Sequence, residues 1–96
     1  MNTLSAIPIQ APMIDALIAR VTPLGNLEAV ASLELIKSSI YHRAGQDDMA
    51  AKILHYVGEA FPDIESNYFH ARVRHVASQI GIAAPNGSAK SDHVGH

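Results

Sequence analysis

The stretch IYHRAGQDDMAAKILHYVGEAFPD, residues 40–63, decides the fold of this chain. Within it Met49, Ala50, Ile53, Leu54, Val57, Ala60 and Phe61 recur at steps of three and four, which places them on one face of a helix. Gly45 reads as the stop of the helix before it, because glycine enters the left-handed backbone region without strain. Pro62 closes the helix that precedes it. Asp47 is the expected cap of this helix and Asp63 that of the next. Links this short predict helices that run antiparallel to their neighbours.

Upstream, Asn26 is the expected N-cap of a helix reaching about Ala44, with Glu28 near its positive end. Val30, Leu33, Ile36, Ile40 and Ala44 define its expected face, and Leu27, Leu35 and Tyr41 broaden it, so this helix should pack on two sides. Earlier still, Pro12 suits a first helical turn, and Met13, Ile14, Leu17, Ile18 and Val21 form an apolar stripe. Asp15 is placed in the first turn of that helix and Arg20 in its last; Pro23 ends it and Leu24-Gly25 makes a turn. Residues 1–11 lack a helical period and read as an extended lead containing Ile7, Pro8 and Ile9.

Downstream, Phe69, Val73, Val76 and Ile80 give a fourth helix that Gly81 stops. Residues 83–96 turn to Pro, Asn, Gly, Ser, Lys and His, and are expected to be a disordered tail. No segment alternates with the period of two that a strand needs. The expected fold class is all-α: about four helices in one domain over residues 12–82, arranged as stacked antiparallel hairpins.

Composition narrows the function. The chain has 96 residues, 48% hydrophobic and 17% charged, with a net charge of −2 and no cysteine. A disulfide scaffold and a thiolate zinc site are excluded. So few charges on so small a surface leave apolar residues outside the core, which points to a protein partner. The N-terminus lacks the charged opening of a secretory signal, its first basic residue being Arg20, and no apolar run approaches the ~20 residues of a membrane helix. The expected compartment is the cytoplasm, with no membrane association.

Tyr41, Gly45, Ala50, Leu54 and Pro62 stand in the order and at the intervals of a tetratricopeptide unit, and the chain resembles that family here. The glycine turns the chain, the small alanine lets two helices approach, and the proline re-aims the chain. One repeat length of about 34 residues from Glu34 falls on Tyr68, an aromatic in the family's opening slot. The chain departs from the pattern at Glu34 and Lys37, where an aromatic and a leucine are usual, and at Ser38, where glycine is usual.

Residues 17–81 further resemble the tetratricopeptide-like chaperones of type III secretion needle subunits. The resemblance lies in Glu28-Ala29-Val30, Leu35-Ile36-Lys37-Ser38-Ser39, Gly45, Ala50 and Phe61-Pro62-Asp63-Ile64-Glu65. It implies a non-catalytic protein that holds an amphipathic helix of a polymerisation-prone partner in the cytoplasm, alongside a second small helical co-chaperone and without a cofactor. It also implies a concave partner-binding face made of Leu35, Ser39 and His42 from the second helix and Phe69, Val73 and Val76 from the fourth. Those residues would be covered by the partner, by the first helix, or by both. The chain ends in a polar segment where typical members of that family continue, a departure that puts a counterpart of the family's last groove-lining helix in doubt.

Other chemistries fit less well. His70 and His75 are five residues apart, which points them to different sides of a helix, unlike the i, i+4 pair of a zinc helix. His93 and His96 have only Asp92 nearby, and no metal is expected. No serine sits in a glycine-flanked elbow, and Asp47-Asp48 at a helix start reads as capping, so no catalytic residue and no enzyme are expected. His70, Arg72, Arg74 and His75 make the fourth helix locally basic, but such arginines commonly form a solvated face or pair with carboxylates, here Glu59, Asp63 or Glu65. A DNA-binding helix-turn-helix needs a small residue where Tyr41 stands, and the net charge opposes nucleic acid binding. A small transcriptional or phage-type regulator and a self-associating homodimeric bundle remain as rival readings.

Overall fold

Helix ends in this chain are set by a few local devices. Asn26 accepts a hydrogen bond from the Ala29 backbone N–H at 3.0 Å, and Ser66 accepts one from the Phe69 N–H at 3.1 Å. Gly45 and Gly81 stand at φ +81° and +93°, conformations that stop a helix and that a side chain would strain. The result, in a computed structural model describing residues 7–84, is four helices: α1 (Gln10–Val21), α2 (Leu27–Arg43), α3 (Asp47–Ala60) and α4 (Asn67–Ile80). A 3₁₀ turn, Thr22–Leu24, follows α1. The chain is all-α over the described residues. None of these helices is long and apolar enough to cross a membrane.

Several boundaries differ from the sequence expectation. α1 begins at Gln10, two residues into the expected extended lead, because the Ala11 N–H already bonds the Pro8 carbonyl at 3.0 Å. Residues 1–6 of that lead lie outside the described residues. Asp15 consequently falls beyond the first turn. Asp47 is the first helical residue of α3 rather than its cap, and it takes the His42 Nδ1 at 2.7 Å, tying the two ends of the α2–α3 link. Ser66, not Asp63, caps α4; residues 63–65 stay non-helical, with the His70 Nε2–H donating to the Ile64 carbonyl at 2.6 Å. The expected tail begins at residue 83, yet Ile82 and Ala84 pack against the core, led back by the Gly81 and Ile82 N–H groups on the Ala77 carbonyl. Residues 85–96, to which the rest of the tail expectation applies, lie outside the described residues.

α2 touches all three other helices and organises the interior. Its Val30, Ala31 and Leu35 join Leu54, Val57 and Phe61 of the α3 segment and Phe69, Val73, Val76 and Ala77 of α4 in one buried cluster. Ile18 and Val21 of α1 close its edge. The α2 face differs from the expected one: Ala31 and Ser38 are fully buried, whereas Ile36 and Ala44 are exposed. The reason is the approach of α3. Ser38 Oγ–H donates to the Ala50 carbonyl at 2.7 Å inside the protein, and both residues have no exposed surface. Small side chains at this crossing let the two backbones come together.

α1 is held by charge as well as apolar contact. Lys37 Nζ reaches Asp15 at 2.7 Å and the buried Glu34 at 3.5 Å. Burial works against the Lys37 ammonium, but the hydrogen bond to Asp15 and the negative charges of Glu34 and Asp15 outweigh it and raise its pKa above the ordinary 10.5.

Two outcomes follow for stability. Ala50→Leu should cost about 2 kcal/mol in urea unfolding by overpacking the α2–α3 crossing, against about 1 kcal/mol for Ser38→Ala, which removes only a hydrogen bond; equal stability of A50L and the parent would refute the close approach. Lys37→Met should cost roughly 2 kcal/mol, since it leaves Glu34 buried without a cation. The Lys37 contribution is complete below its unfolded pKa of 10.5 and is lost as pH rises through the higher folded value, so K37M and the parent should converge in strong alkali.

Candidate functional site

The six residues expected to line a partner-binding face do not form one open surface. Leu35, Phe69, Val73 and Val76 are all buried, and the α3 segment covers them with Leu54, Val57 and Phe61. The apolar stripe of α4 is therefore internal core, and the expectation that Phe69 and Val73 face a bound helix is corrected. Ile18 and Val21 of α1 close the edge of the same cluster. His42 is half-buried and engaged with Asp47 at the α2–α3 link. Ser39 is half-buried and faces α4, where it meets Val76 at the floor of a groove.

That groove, of about 330 Å³, runs between α2 and α4 and is lined by Ser39 and Arg43 on one side and Tyr68, Ala71, Arg72, His75, Val76 and Gln79 on the other. Tyr68, Arg72, His75 and Gln79 follow at steps of four, three and four, a polar stripe beside the buried one on α4. The Arg72 guanidinium lies over the Tyr68 ring, 5.9 Å from its centroid. Arg72 Nε is buried with no hydrogen-bond partner. The basic character of α4 was legible in the sequence, with a solvated face or pairing with Glu59, Asp63 or Glu65 as its expected role; Arg74 is exposed. Among the described residues the ion pairs involve only Lys37 and His42, so that pairing is not formed. Arg43 was missed, because only the packing of α2 on α4 brings it there.

Elsewhere the surface carries apolar side chains on α1. Its inner side rests Ala11, Ile14 and Ile18 toward the body. Its outer side presents Met13 and Leu17, 64% and 45% exposed, one and two turns after Ile9 at 82%. A third feature is a cleft of about 380 Å³ at the N-terminal end of α2, bordered by Leu27, Phe61 and Ile64 and by the carboxylates of Glu28, Asp63 and Glu65. No group of three or more His, Asp or Glu side chains with metal-binding proximity occurs among the described residues; His93 and His96 lie outside them.

The surface thus offers contact chemistry, apolar on α1 and cationic between α2 and α4. No family model matches this chain, and no curated protein or solved structure shows significant similarity to it.

Proposed function

We propose that this protein is a non-catalytic binding module, an adaptor or chaperone that holds an amphipathic helix of a partner protein. The observation that carries this reading is the outer row of α1: Ile9, Met13 and Leu17 at steps of four, exposed on a helix whose opposite side is already committed to the body. A surface helix of a self-sufficient monomer keeps its outer face polar. α1 has only Asp15 and Arg20 as charged residues, and Asp15 is engaged with Lys37. An apolar row on both sides of one helix is the arrangement of a helix that packs twice, once inside its own chain and once against another.

The partner surface thereby moves from the α4 stripe of the sequence expectation to α1. The stacking of α2, α3 and α4 as tetratricopeptide-like hairpins, and action in the cytoplasm, belong to the same proposal. The sequence resemblance to needle-subunit chaperones makes a polymerisation-prone helical subunit the partner to try first. A subunit of that kind exposes a self-adhesive face, and covering it prevents premature assembly.

Photo-crosslinking residues placed at Met13 and Leu17 in the full chain test the proposal. They should join to a helical segment of a different protein, and the double variant Met13→Glu, Leu17→Glu should lose that capture. Because both side chains are exposed, the same variant should keep its helical circular dichroism and lie within about 1 kcal/mol of the parent in stability. Crosslinks solely to another copy of the chain, with a dimer in light scattering, would replace the adaptor reading with a self-associating bundle. A monomer without crosslinks at either position would end both.

A further inference from the structure

We propose that the groove between α2 and α4 is an anchoring site for carboxylate side chains of a partner polypeptide, held by Arg43 and Arg72. The inference rests on the reading of the chain as a protein-binding module and names the chemistry that a second part of the partner carries. Four observations support it. Arg43 and Arg72 line the same groove from different helices, with His75 beside them. No carboxylate lines it, and α4 contains neither Asp nor Glu over its whole length. Neither arginine forms an ion pair among the described residues, and the buried Arg72 Nε lacks any hydrogen-bond partner. The Arg72 guanidinium lies over the ring of Tyr68, which lines the same groove.

A guanidinium stays charged at every physiological pH and offers parallel donors that match the two oxygens of a carboxylate. In a chain of net charge −2, two such groups in one groove without a compensating acid are a local excess of positive charge. The Ser39 hydroxyl and Gln79 amide add neutral donors along the floor and rim. The size of the site separates protein from nucleic acid. Duplex DNA readers commonly neutralise roughly six to ten phosphates, whereas this groove of about 330 Å³ presents two permanent cations.

Titration of the full-length, ¹⁵N-labelled chain with a hexaglutamate peptide at low salt tests the site. Hexaglutamine serves as the uncharged control and hexathymidylate as the phosphate arm. Hexaglutamate should produce saturable shifts at the Arg72 Nε–H and at the amides of Ser39, Arg43, Tyr68 and Gln79, and hexaglutamine none. Arg43→Gln and Arg72→Gln should each weaken binding about tenfold, whereas Arg74→Gln, the same charge change on the exposed side of α4, should change it by less than about twofold. Should Arg72→Gln perturb the fold, Arg43→Gln decides, since that side chain is exposed. Shifts scattered over the surface, an equal effect of R74Q, or hexathymidylate binding the same residues as tightly would each overturn the proposal. These results are independent of the α1 row: capture lost in the Met13/Leu17 variant but kept in R43Q and R72Q removes the groove alone, and the reverse pattern removes the α1 reading alone.

Discussion

The contact on which the rest of this structure depends is the crossing of α2 and α3 at Ser38 and Ala50. Two helices can share a crossing with a side-chain hydroxyl on a backbone carbonyl only when neither carries bulk there. Once α3 lies that close, Leu54, Val57 and Phe61 reach over Leu35, and α4 fits into what remains with Phe69, Val73 and Val76. The α4 stripe is covered for this reason. A wider crossing would open the furrow that the sequence resemblance implied. A serine where the tetratricopeptide pattern places glycine keeps the approach short and adds a hydrogen bond to it.

The two other departures from that pattern have a local role too. Where an aromatic and a leucine are usual, Glu34 and Lys37 stand, and they face α1: Lys37 bridges the buried Glu34 to Asp15. One ammonium thus bridges an acid of α1 and an acid of α2. A buried carboxylate tolerates its site because its cation is itself fixed by a second acid. Such a contact fixes position more than it stabilises, since desolvation offsets much of the attraction.

Much of the fold was legible in the sequence, for physical reasons particular to each element. Asn26, Gly45 and Gly81 mark ends through backbone chemistry that acts within a few residues, and those ends are where they were expected. Asp63 had the right chemistry for a cap but lost to Ser66, because the stretch after Pro62 is held non-helical by His70, a contact six residues away. On α2 the expected Val30, Leu35 and Ile40 are buried, yet Ile36 and Ala44 are exposed and Ala31 and Ser38 have no exposed surface. A helix with three neighbours has no single face, and small residues at crossings carry no hydrophobic signal. On α4 the stripe itself was correctly read, but periodicity tells which side of a helix avoids water and not which molecule covers it. The groove residues on α4 were visible as a basic stripe, while their meeting with Arg43 is a product of packing alone.

α1 differs from its three companions in one respect. Ala11 is its only buried residue, and the rest of its hold on the body is the half-buried Ile14, Ile18 and Val21 and an ion pair whose acid is largely solvated. The buried cluster shared by α2, α3 and α4 meets α1 only at its edge, through Ile18 and Val21. A helix held chiefly at its rim gives the molecule a seam, the place where local opening would begin before it reached the three-helix body.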